Sequence, residues 1–183
     1  MLILALMTGG CELITEPGSH VHRPEPAPTA TASKPRPPGQ DGPNPELLAS
    51  LQDKTLQLRA LHHKRPTKDG QQQWLLELHQ ADTLLASWPA VSGRPGSQRL
   101  DRRWSPGNGA PLPQGAYSLG APETWGEDIW INLTPRFDTS RSGLGIHHCN
   151  PGSGCVCLPD RASLLALKAW MEVVELKRLR VLN

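Results

Sequence analysis

From Leu56 onward the chain alternates apolar and polar residues. KTLQLRALHHK sets Leu56, Leu58 and Ala60 on one side, the period of a half-buried β-strand. QQWLLELHQADTLLASWPAVSG repeats the pattern twice, with Trp74, Leu76 and Leu78, then Leu84, Ala86 and Trp88. The residues Gln80 to Thr83 between these runs read as a hairpin turn. Shorter runs follow at GAYSLG (Gly115 to Gly120), DIWINLTP (Asp128 to Pro135) and SGLGIH (Ser142 to His147), separated by Gly- and Pro-rich turns. Short strands at this spacing predict a mainly β domain, a β-sandwich or open barrel. The period changes in two places. PELLASLQ predicts one or two helical turns with Asn44 as the cap. RASLLALKAWMEVVELKR predicts one long helix with Asp160 as N-cap and Leu164, Leu167, Met171, Val174 and Arg178 along one face. LRVLN would close the domain as a last short strand, and no internal repeat of fixed period is visible.

Composition divides the chain. Of nineteen prolines among 183 residues, nine fall between Pro17 and Pro45, in a stretch almost without large apolar side chains. Such a segment cannot bury enough surface to offset its ordering entropy. Residues 12–45 therefore read as an extended tether, whose some thirty Pro-rich residues would reach on the order of 90 Å at roughly 3.1 Å per residue. The folded domain is expected over 46–183. Residues 1–11 run from apolar (MLILALM) through small (TGG) to Cys11, too short a run to span a bilayer. They resemble a bacterial lipoprotein signal, in which Cys11 would carry the lipid; a conventionally cleaved export signal is a second reading and an incidental apolar start a third. The first two place the domain in the cell envelope, the first anchored to a membrane through Cys11. The net charge is +2 with no basic block, which argues against nucleic acid as a partner. The locally basic RPGSQRLDRR reads as a solvated loop.

The chemistry concentrates in SGLGIHHCNPGSGCVCLPD, where His147, His148, Cys149, Cys155 and Cys157 fall within eleven residues. With Cys11 lipidated, three cysteines remain, an odd number in a compartment that oxidises thiols. One is then left unpaired; Cys149 and Cys157 would bridge around Cys155, or two of the thiols would form a redox pair. Metal binding fits less well. Structural zinc sites draw ligands from two separated elements, and adjacent strand residues such as His147 and His148 point to opposite faces. No metal is expected. Covalent catalysis fits better, because an imidazole can take the proton of a thiol that lies near it. Cys155 follows Gly152-Ser153-Gly154, small residues that let a substrate approach the backbone. His147, ending a strand, would face it across the loop.

GIHHCNPGSGCVCL resembles the active-site motif of YkuD-type L,D-transpeptidases, a strand-ending histidine followed by Ser/Thr-x-Gly-Cys-Ile/Val-x-Leu/Met. VSGRPGSQ, the Pro111 to Tyr117 stretch and FDTSRSGLGIH resemble other parts of that domain, so the similarity spans roughly Leu56 to Asn183. The resemblance implies a β-rich fold with a helix after the nucleophile. It implies that Cys155 attacks a peptidoglycan stem peptide between diaminopimelate and D-alanine, forming a thioester and releasing D-alanine. A second stem's amine, or water, would then resolve the thioester. His147 would be base and acid, with His148 the competing candidate. The backbone N–H groups of Cys155 and of Gly154 or Val156 would hold the oxyanion. No cofactor is implied. Ser153 stands where the family often has a second histidine and Cys157 where it often has an arginine, for which Arg141 would substitute. Substrate contacts are expected from Arg141, His148, Ser153, Trp130 and Tyr117. Two other classes stay open: a non-catalytic envelope lipoprotein that binds peptidoglycan, and a metal or redox protein using the His/Cys cluster.

Overall fold

A computed structural model of the chain describes residues 42–51, 55–66, 72–99, 102–104, 109–149 and 154–182. The expected signal with Cys11, nearly all of the expected tether, and Ser153 lie outside the described residues. The last of the tether positions are ordered into a cap. Asn44 accepts the Leu47 N–H at 2.7 Å, and Pro45 opens helix α1 (Pro45–Ser50), where its missing donor costs nothing.

The domain is mainly β. Strands β1 (Leu56–Pro66), β2 (Gln72–Gln80), β3 (Thr83–Ser92), β4 (Gly115–Trp125), β5 (Asp128–Pro135), β6 (Leu144–His147), β7 (Val156–Cys157) and β8 (Arg178–Leu182) form one sheet. Their order is β1-β2-β3-β7-β6-β5-β4-β8, and β8 returns to pair with β1, so the sheet closes as a barrel. Most neighbours are antiparallel; β6 with β7 and β8 with β1 are parallel. Closure satisfies the backbone groups that an open sheet would leave at two edges.

The period-2 pattern supplies the barrel interior. Leu58, Ala60, Trp74, Leu76, Leu78, Ala86 and Trp88 are fully buried, and Ile131, Ile146, Val156 and Val181 join them from the later strands. Leu84, grouped by its sequence phase with Ala86 and Trp88, is instead exposed. The β2–β3 register steps from Leu78↔Ala86 to His79↔Leu84, so Leu85 is an extra residue that shifts the alternation by one. Helix α2 (Arg161–Val173) starts where Asp160 accepts the Ala162 N–H and buries Leu164, Leu167 and Trp170 against the same core. It stops earlier than the apolar stripe suggests. Val174 takes extended dihedrals as the C-cap, and Arg178, expected on the helix, opens β8. Among the described residues, no helix is long and apolar enough to cross a membrane.

Removing the cap tests how firmly α2 is seated. Asp160→Ala is expected to lower unfolding free energy by about 1 kcal/mol in a urea titration, with Asp160→Asn losing only a few tenths. Equal losses in the two variants would mean that the side chain does not act as a cap.

Candidate functional site

The parallel register of β6 and β7 sets the site. Ile146 lies beside Val156 with both side chains in the core, so their neighbours His147 and Cys157 take the other face, away from the barrel interior. Two residues back along each strand, the same register brings Cys155 beside Gly145. Trp130 of β5 lies across Gly145, where a Cβ would fall inside the indole, and its ring centroid is 5.1 Å from that of His147. Trp125 closes the group, 5.3 Å from Trp130 and 5.6 Å from His147.

The three cysteines of the cluster divide into a bridge and a thiol. Cys149 and Cys157 form a disulfide, and Cys155 remains a thiol, half-buried, with its sulfur 3.7 Å from the Gly143 carbonyl. The His147 ring is held by Nδ1, 3.1 Å from the His148 carbonyl, a contact that requires a proton on Nδ1 and leaves the lone pair on Nε2. That Nε2 faces the Cys149 sulfur at 3.4 Å rather than Cys155. His148 is exposed, with its Nδ1 2.9 Å from the Leu158 carbonyl on the approach to α2.

Beneath the thiol sits Arg141, only 6% exposed. Its guanidinium donates to the carbonyls of Arg102 (3.0 Å) and Ala110 (3.2 Å). The segment carrying Ala110 is sewn to the end of β3: Arg94 N–H donates to the Gly109 carbonyl, and Leu112 N–H to the Ser92 hydroxyl. Gly154 rests on Arg141. At φ +112°, with a Cβ that would collide with Nη2, this position accepts only glycine. Arg141 thus supports Gly154 from below. The arginine expected to substitute for a substrate-binding one is buried, with its guanidinium on backbone carbonyls.

Burial raises the Cys155 thiol above the ordinary cysteine range; the Gly145 N–H and the Arg141 charge pull it partly back. Burial also lowers His147, against the contrary effects of the His148 carbonyl and the Asp128 carboxylate. At neutral pH the pair is therefore a thiol and a neutral imidazole, a base with an available lone pair, rather than a thiolate and an imidazolium.

Of the expected site residues, Trp130 packs against His147 and the consecutive Gly154, Cys155 and Val156 lead into the neighbouring strand, while His147 makes its contacts to His148 and Cys149 rather than to Cys155. Val156 pairs with Ser92 on one side and Ile146 on the other, which fixes the backbone after the thiol. Tyr117 does not join them as a ligand contact. It is 1% exposed, packed edge-on against Phe137, and its hydroxyl donates to the Pro113 carbonyl at 2.6 Å, so it is a core residue. The donors His147, Cys149 and Cys157 lie within 4.8 Å of one another, but the two sulfurs are spent in the bridge. Sequence reading missed Gly145, which gives Trp130 its place, and Asp128, which faces His147. A Gly–Glu turn between Trp125 and Asp128 was the available signal, since it fixes which residues of β4 and β5 share a face.

These features define a mainly β barrel with one thiol, one imidazole and two indoles grouped on the outer surface of its sheet. Compared with protein-family models, curated proteins and solved structures, the chain matches none.

Two measurements check the geometry. Cys155 alkylation by iodoacetamide, followed by peptide mass mapping, is expected to rise with a midpoint above the roughly 8.5 of a free cysteine; a midpoint below 7 would mean a thiolate already stabilised at rest. Gly154→Ala should cost about 1–3 kcal/mol from backbone strain alone. It should also change Cys155 alkylation as Arg141 is displaced, and a thermal melt identical to wild type would contradict the close contact.

Proposed function

We propose that this chain is a cysteine acyltransferase of peptidoglycan, an L,D-transpeptidase acting on tetrapeptide stems through a thioester on Cys155. One observation carries the reading: the bridge consumes the other two cysteines of the cluster, and the thiol left over shares a sheet face with an imidazole whose lone pair is available. The motif likeness of GIHHCNPGSGCVCL adds the substrate class.

In the proposed cycle, His147 takes the Cys155 proton as the substrate carbonyl arrives, so thiolate forms only where it is consumed. This requires the ring to turn from Cys149 toward Cys155, giving up its 3.1 Å contact with the His148 carbonyl. Attack gives a tetrahedral oxyanion, held by the backbone N–H of Cys155 and one from Gly154 or Val156. Collapse breaks the amide, His147 returns its proton to the leaving D-alanine nitrogen, and the thioester remains. The chemistry calls for no metal or organic cofactor. The envelope, with a lipid anchor at Cys11 and the Pro-rich stretch as spacer, is the proposed location; nucleic acid is not a proposed partner.

A second reading, a wall-binding protein without turnover, is favoured by the resting direction of the His147 ring toward the disulfide. One experiment separates the two. Incubation with a carbapenem, which acylates nucleophiles of the family this motif resembles, should add one drug mass by intact-mass spectrometry, and Cys155→Ala should remove the adduct entirely. Wild-type protein should release D-alanine from disaccharide-tetrapeptide, with His147→Gln slower by about 10²–10⁴-fold. Since His147 is lowered, that activity should persist below pH 6.5 and fall as the ring protonates. A folded wild-type protein that yields neither adduct nor D-alanine supports the second reading.

A further inference from the structure

We propose that His147, Cys149 and Cys157 form a zinc site that opens when the Cys149–Cys157 bridge is reduced, a use of the cluster beyond the proposed transfer. Among the described residues, these three side chains bring one donor atom each within 4.8 Å of the others. In the bridge, the two sulfurs are bonded to each other. As thiolates they become strong ligands for a soft or borderline metal ion.

The surroundings of the third donor are those of a metal ligand. A metal-binding histidine almost always donates its second ring N–H to a carboxylate, a backbone carbonyl or water, which fixes its tautomer and direction. His147 does the same: Nδ1 lies 3.1 Å from the His148 carbonyl, and Nε2 faces Cys149 Sγ at 3.4 Å. Bonds of about 2.3 Å to sulfur and 2.0–2.1 Å to nitrogen place two donors of a tetrahedral zinc about 3.5 Å apart. The imidazole therefore already stands on one edge of that tetrahedron, and only the sulfurs must part. Trp130 and Trp125 hold the ring, with centroids 5.1 and 5.6 Å from its own. Cys157 is fixed by the pairing of β7 with β3 and β6, which sets it beside His147.

The donor set selects the ion. Two thiolates and an imidazole suit zinc, and three protein ligands leave its fourth position open to solvent. Magnesium and calcium, which take oxygen ligands, are not matched. Cys157 is buried, whereas His147 and Cys149 are partly exposed and give the ion a way in.

The opening step balances with an external dithiol. Its two sulfurs join in a disulfide and give up two electrons and two protons. The Cys149–Cys157 bond breaks, and each sulfur takes one electron and one proton. Zinc then binds as both thiol protons pass to solvent. On the transferase reading, the ion occupies the Nε2 lone pair with which His147 would deprotonate Cys155.

The test treats the full chain with dithiothreitol, removes the reagent by gel filtration without oxygen, and titrates with Co²⁺ and then Zn²⁺. Co²⁺ should bind at one equivalent with sulfur-to-cobalt charge-transfer absorption and the visible bands of a tetrahedral ion, and Zn²⁺ should bleach both. The oxidised chain should show neither. Cys149→Ser, Cys157→Ser and His147→Gln should each weaken binding by at least the roughly 10- to 100-fold that losing a residue behind a ligand costs. Cys155→Ser and Cys11→Ser should leave it unchanged, with circular dichroism following the fold of every variant. Equal binding by the oxidised chain, undiminished binding in any of the three ligand variants, or loss of binding with Cys155 or Cys11 would overturn the proposal. So would a reduced chain that unfolds and that zinc does not refold. Loading should also stop D-alanine release by the reduced protein, and release at full rate with the site filled would overturn the hold on His147. A wild type that releases none in any state would instead remove the transferase reading, while the titration would still decide the zinc site.

Discussion

The Cys149–Cys157 bridge is the constraint on which the outer face of the barrel depends. It spans eight residues in sequence and ties the end of the loop-bearing segment after β6 to β7. A closed loop of that size contributes on the order of 2–3 kcal/mol by restricting the unfolded chain. Its chemical effect is more specific. By consuming two sulfurs it leaves Cys155 as the cluster's thiol and removes the two donors that would otherwise join His147 as metal ligands. The same covalent link that stabilises the domain thus selects which sulfur can react.

A second constraint acts from inside. Arg141 is a buried cation held by backbone carbonyls, and it fills the space a side chain at Gly154 would need. Its charge favours the Cys155 thiolate while the burial that surrounds it disfavours the same form. Burial wins, and the resting thiol stays protonated. Arg141 is in turn tied to β3: Ser92, at the end of that strand, holds Leu112, and Ala110 in the same segment accepts from Arg141.

Much of this was legible as pattern. The alternation at Leu56–Ala60 and Trp74–Leu78 identified core-facing strands because a pleated backbone sends successive side chains to opposite faces. Asp160 marked the start of α2 because its carboxylate satisfies an N–H that the helix cannot. Leu84 and Tyr117 were not legible in the same way. The first depends on a bulge at Leu85, one extra residue whose only effect is on register. The second carries a hydroxyl that could serve a ligand or a neighbouring carbonyl, and only the fold brings Pro113 to it. The apolar stripe of α2 likewise ran past the helix end, since stripe and helix are separate properties once the chain turns into β8.

What the chain determined without its fold were the local quantities: strand and helix periods, a cap, a run of small residues before a cysteine, and three cysteines close together in one segment. These depend on neighbours in sequence, whose geometry is set by bond lengths and dihedral preferences. The tertiary structure decided everything that required distant segments to meet. It chose barrel closure through β8 and β1, the partner of each sulfur, the burial of Arg141 beneath Gly154, and the direction of the His147 ring. It also brought Trp125 and Trp130 to that ring, through the pairing of β4, β5 and β6. Such contacts arise from register and packing across the sheet, where a shift of one residue moves a side chain to the opposite face.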